Sequence, residues 1–177
     1  MIYFFKELPA SDMDFTNYQP FIKNSWLRKH FMKFVYILQL VLVILSIVFG
    51  AWNFSDWLIK AVIFGGVYFI HELLHILVVY KIGNISLTHS GIFFWLNSDA
   101  IMSKCRFWLF MTLPLLVLTV IPMLAIPLTE GIMFQILRYI AWINAIIAGA
   151  DIINSVLIIM KPMRARFCRG YYIVENK

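Results

Sequence analysis

His71, Glu72 and His75 form a His-Glu-x-x-His series with Leu73 and Leu74 as spacers. On an α-helix, residues four apart lie one turn apart on one face, so both imidazoles can bind a single zinc ion. Glu72, between them, can act as general base on a water that such an ion activates. The chemistry indicated is metal-assisted hydrolysis. The series lies inside residues 57–80, a run long and apolar enough to cross a bilayer. Two histidines and a glutamate are costly in hydrocarbon, and ionisable groups at that depth mark functional sites.

A catalytic zinc site takes three protein ligands and keeps one position for water. Of the nine Asp and Glu, Glu72 and Asp151 lie well inside apolar runs. Asp151 precedes Lys161, and His71 precedes Lys81, by the same ten residues. Each lysine marks where a run meets the same membrane face, so both groups sit roughly 15 Å of helix rise from that boundary. Matched depth is what shared coordination requires, and Asp151 is the expected third metal ligand with His71 and His75. Asn144, Ala148, Asp151 and Ser155 share one helical face, with Asn154 alongside. Small residues on this face, together with Gly65 and Gly66 on the second run, predict close packing of the second and fourth helices. Asn144, Asn154 or Ser155 can supply the hydrogen bonds that orient the ligands, and the sequence does not choose among them. The competing role for a membrane aspartate is pairing with a base. Arg138, on the same run, is about 20 Å along the helix and too far. His30 and His89 fall near interfaces and are read as ordinary polar residues.

These groups need a scaffold, and the composition indicates which kind. The 177 residues are 62% hydrophobic and 14% charged, whereas a soluble domain is about half apolar and about a quarter charged. One integral membrane domain is expected, with apolar runs at residues 34–52, 57–80, 107–128 and 131–160. The net charge of +6 comes from bases between the runs: five before the first, three between the second and third, five after the fourth. The two short outer loops have none. This asymmetry argues against nucleic acid as a partner and predicts a multi-pass cell-membrane protein with both termini cytoplasmic. Without a small-residue cleavage site, the first run is expected to act as an uncleaved anchor. Cys105 and Cys168 fall on the cytoplasmic side, where no disulfide is expected.

The organisation is then a cytoplasmic or interfacial tail (1–33), a four-helix membrane domain (34–160) and a basic cytoplasmic tail (161–177). Pro114 and Pro122 interrupt the third run and are tolerated where neighbours re-satisfy the freed carbonyls. Residues 81–104 are more polar. Ile85 and Leu87 alternate with Ser86 and Thr88, Ser90-Gly91 signals a turn, and residues 92–96 are β-prone. A β-hairpin or short re-entrant element is expected there. The fold class is therefore an all-α polytopic membrane protein carrying that one element. A protease must bind its substrate extended, and either strand-like segment can present an edge beside the metal. The alternative is an interfacial loop anchored by Phe93, Phe94 and Trp95.

His71-Glu72-Leu73-Leu74-His75 in one membrane helix and Asp151 in a later one resemble the site-2 protease class of intramembrane zinc metalloproteases. Size and four-span layout look more like the small bacterial membrane proteins classed as putative zincin peptidases, whose HExxH is followed by a small-residue approach to an aspartate, like Ala148-Gly149-Ala150-Asp151 here. The resemblance covers about residues 60–160 and implies zinc at His71, His75 and Asp151 with Glu72 catalytic. Site-2 proteases carry Asn-x-x-Pro and Asp-Gly, whereas here Asn144 lacks the proline and Ile152 follows Asp151. The expected function is an intramembrane zinc metalloprotease cutting membrane proteins or peptides near the cytoplasmic face. The alternative is a non-catalytic metal-binding accessory protein in peptide export, immunity or a chaperone role. Four spans without a repeat argue against a transporter unless the chain forms a homo-oligomer.

Overall fold

A computed structural model describes residues 2–5, 14–53, 56–83, 85–90 and 93–175. In chain order, strands β1 (Ile2–Phe5) and β2 (Gln19–Pro20) precede helices α1 (Ser25–Val48) and α2 (Trp57–Val79). Strands β3 (Ile85–Ser90), β4 (Phe93–Ser98) and β5 (Met102–Ser103) follow. A long third helix then runs as α3 (Lys104–Leu115), a wide π turn (Leu116–Val120), α4 (Ile121–Ala125) and a 3-10 turn (Ile126–Leu128). Helices α5 (Gly131–Ile147) and α6 (Gly149–Ile159) lead to strands β6 (Ala165–Cys168) and β7 (Tyr171–Val174).

Three helices are long and apolar enough to cross a membrane, and α5 with α6 makes a fourth if that bent pair counts as one span. Their outward faces carry apolar side chains such as Ile47, Val62, Phe69 and Leu124, all exposed, as lipid contact requires. α1 starts earlier than the apolar run predicts. The Asn24 side chain accepts from the Leu27 amide at 3.0 Å and caps it, so Arg28, Lys29 and Lys33 belong to its first turns. α2 begins where expected, capped by Asp56, which accepts from the amides of Leu58 and Ile59.

The fourth apolar run departs from a single straight helix. It bends by 63° between Ile147 and Gly149. A Cβ on Gly149 would lie 2.7 Å from Gln39 Cγ of α1, so only glycine permits this approach. Gln39 Nε2 in turn donates to the Ile146 carbonyl at 3.0 Å. Broken helices persist in membranes where protein groups satisfy the freed backbone in this way.

β3 and β4 pair antiparallel from Ile85↔Ser98 to Ser90↔Phe93, and β1 adds parallel to β3. Asn84, Gly91 and Ile92, which enter the expected hairpin, lie outside the described residues. A second sheet, in the order β2-β7-β6-β5, was not expected. It draws on both terminal segments read as tails. Arg169 and Gly170, with φ of 46° and 78°, make the two-residue turn joining β6 to β7. The inner face of this sheet buries Ala165, Phe167 and Tyr172 against Phe21 and Ile158. Lys161 fastens sheet to helices: its Nζ donates to the Phe21 carbonyl at 2.6 Å and sits 4.7 Å from the Tyr172 ring centre. Lys104 caps the end of α6 by donating to the Ile159 and Lys161 carbonyls.

Candidate metal centre

α2 turns His71 and His75 inward, 3% and 6% exposed, while Phe69, Leu73 and Leu77 face outward. Asp151 comes from the first turn of α6. The break at Ala148 therefore places this carboxylate at a helix N-terminus, where the dipole favours an anion. His71 Nε2 and His75 Nε2 lie 3.1 and 3.3 Å from Asp151 Oδ2, and 3.1 Å from each other. The structure thus brings together His71, His75 and Asp151, the three residues of the sequence-based ligand set, one donor atom each.

The outer ring nitrogens define the proton positions. His75 Nδ1 lies 2.7 Å from the Phe110 carbonyl, which can only accept, so Nδ1 carries a proton. Asn144 Nδ2 donates to the Pro114 carbonyl at 3.0 Å and to Thr119 Oγ1 at 2.9 Å. Both amide protons are spent there, so Asn144 Oδ1 must accept, at 2.9 Å, from His71 Nδ1. Thr119 Oγ1 passes its own proton to the Ala141 carbonyl at 3.1 Å. In its neutral form, each imidazole consequently turns an unprotonated Nε2 toward a carboxylate oxygen. Three lone pairs converging within such distances repel one another unless a positive centre lies among them. A proton bridges two of the three, whereas a metal ion serves all three.

The donor set suits zinc in type and spacing. Two imidazoles and a carboxylate are a catalytic-zinc set, and tetrahedral donors at zinc distances lie about 3.3–3.4 Å apart. The observed sides of 3.1, 3.1 and 3.3 Å fall close to this. Glu72 is half-buried on the same turn of α2 and is not one of the three converging donors.

Residues 63–166 match the family described as putative zincin peptidase. The chain belongs to this family. The match contains His71, Glu72, His75 and Asp151, and it identifies the chain as a member of a metallopeptidase family that implies zinc. No curated protein and no solved structure matches the chain.

Of the three candidates for orienting the ligands, Asn144 is the one bonded to His71, and it is fully buried there. Ser155 Oγ instead donates to the Asp151 backbone carbonyl at 2.6 Å, and Asn154 Nδ2 reaches Met111 Sδ at 3.9 Å. Gly65 and Gly66 do not mediate close packing: both are exposed, with open space where a Cβ would stand. His30 Nδ1 bonds the Trp26 carbonyl of its own helix. The Phe110 carbonyl and Thr119, both from the third helix, went unread in the sequence, because a backbone carbonyl has no residue type to betray it.

Proposed function

We propose that this chain is an intramembrane zinc metalloprotease that cuts membrane proteins or peptides near the cytoplasmic face. The observation that carries this is the convergence of His71 Nε2, His75 Nε2 and Asp151 Oδ2 on one point, with Glu72 on the same helical turn. His71, His75 and Asp151 would hold the ion. Zinc bound there supplies Lewis acidity and makes water a nucleophile at neutral pH. Glu72 takes a proton from the attacking water as its oxygen bonds to the scissile carbonyl carbon. It then returns that proton to the amide nitrogen as the C–N bond breaks, leaving a carboxylic acid and an amine, between which the remaining proton moves to give carboxylate and ammonium. Asn144 and the Phe110 carbonyl keep both histidines in the tautomer whose Nε2 is free. His75 lies nearer the Lys81 end of α2 than its Trp57 end, which supports cleavage on that side.

The decisive experiment measures zinc and proteolysis together. Detergent-purified protein is expected to hold about one zinc per chain, to lose cleavage of a transmembrane peptide when chelated, and to regain it with zinc. Cleavage that persists after complete zinc removal would refute the proposal.

Two further expectations follow from geometry and charge. Asp151→Asn replaces the anionic donor by a nearly isosteric neutral amide. Zinc affinity is expected to fall by more than the roughly 10–100-fold that loss of an orienting partner causes. Wild-type affinity in this variant, by competition with a chelating dye, would move the third ligand elsewhere. Reporter fusions at Ser90 and Lys177 are expected to read cytoplasmic, and those near Ser55 and Glu130 external. A cytoplasmic signal at Glu130 would break the four-span topology.

A further inference from the structure

His75 takes its Nδ1 acceptor from the third helix, His71 takes its own from Asn144, whose amide the third helix holds, and Pro114 stands behind each contact. In a regular helix the N–H of residue 114 bonds the carbonyl of residue 110. Proline has no N–H, so the Phe110 carbonyl loses that donor. This carbonyl is the one that accepts from His75 Nδ1 at 2.7 Å. The carbonyl of Pro114 itself accepts from Asn144 Nδ2 at 3.0 Å. Together with Thr119, in the π turn that begins two residues later, it consumes both amide protons and turns Oδ1 to His71. Pro114 is fully buried, and π turns of this kind recur at functional sites.

We propose that Pro114 is a positioning residue for the metal centre. Its missing N–H leaves the Phe110 carbonyl for His75, and its own carbonyl sets the Asn144 amide that holds His71. One residue thus fixes the tautomer and ring orientation of both histidines from outside the ligand set. The inference rests on the zinc reading above. A residue that merely bends the helix would act through its ring; this one acts through an absent donor and a placed acceptor.

The two roles separate in a pair of chains that differ by one group. Pro114→Ala restores an N–H at position 114, which competes with His75 for the Phe110 carbonyl. Incorporating lactic acid at position 114 supplies the same methyl side chain with an ester oxygen in place of the N–H. Zinc affinity is measured by chelator competition, with thermal melting in detergent beside it. The ¹⁵N shifts of His75 in zinc-free protein report its tautomer. Pro114→Ala is expected to weaken zinc binding by roughly 10–100-fold and to mix the His75 tautomers. The lactate chain is expected to stay near wild type in both respects. Wild-type affinity in Pro114→Ala, or an equal loss in both chains, would overturn the inference while leaving the zinc site standing. If Pro114→Ala does not fold, the lactate chain decides alone: retained affinity supports the role, and a tenfold loss refutes it. Wild-type protein that binds no zinc would instead end the underlying zinc reading, and this inference with it.

Discussion

Glu72→Gln is expected to abolish proteolysis while leaving zinc in place. The substitution keeps length and hydrogen-bonding capacity but removes the carboxylate on this turn of α2 that takes a proton from water and returns it in the proposed reaction. Positioned acid–base groups contribute about 10²–10⁴-fold to rate. Glu72 acts in both halves of the proposed reaction, so the loss in kcat is expected near the upper end, about 10⁴-fold. The ligand atoms are on His71, His75 and Asp151, so metal content is expected to stay at the wild-type level. Initial rates on a transmembrane peptide, paired with elemental analysis of the same sample, make the measurement. A rate within a few-fold of wild type would place the base elsewhere. A Glu72→Gln chain that still performs its cellular task would favour a non-catalytic accessory protein.

The second large effect is loss of metal from the paired His71→Ala and His75→Ala variant. Each substitution removes one imidazole donor and strands its partner. Asn144 Oδ1 and the Phe110 carbonyl, which accept from the two Nδ1 groups, are left without those donors. A buried polar group so stranded costs about 1–3 kcal/mol. The double variant is therefore expected to lose its stoichiometric zinc and also to melt earlier than chelated wild-type protein, which keeps both hydrogen bonds. Full zinc occupancy in the double variant would end the assignment of these ligands. Loss of zinc with unchanged melting would keep the ligands but contradict the polar network around them.

The pairing of His71 with His75 was legible because helical geometry is local: four residues make about one turn in any α-helix. The meeting of Asp151 with the histidines was expected from matched residue counts, and the structure brings the three donors together. The 63° bend nevertheless means that the count along α6 is not a depth along a straight span. Apolar run lengths located the second span to within a residue. They placed the start of the first too late, because Asn24 caps the helix inside a basic segment where hydropathy has no signal.

The tertiary structure decided what depends on rotation and approach between helices. Asn144, Asn154 and Ser155 share a face only on one straight helix. The 63° bend puts Asn144 on α5 and the other two on α6, so just the first meets His71. Gly65 and Gly66 look like a packing face by residue type, yet both stand in open space, while Gly149 packs against Gln39 of α1. The terminal segments meet in a second sheet where β2 pairs with β7, a contact between strands far apart in sequence. The backbone acceptor of His75 belongs to the third helix, and its availability follows from a proline four residues on. Residue types and spacing thus determined which atoms can bind metal. Which atoms hold those ligands in place was decided by contacts between helices, because a cross-helix hydrogen bond depends on the relative rotation of two axes, and no local periodicity encodes that.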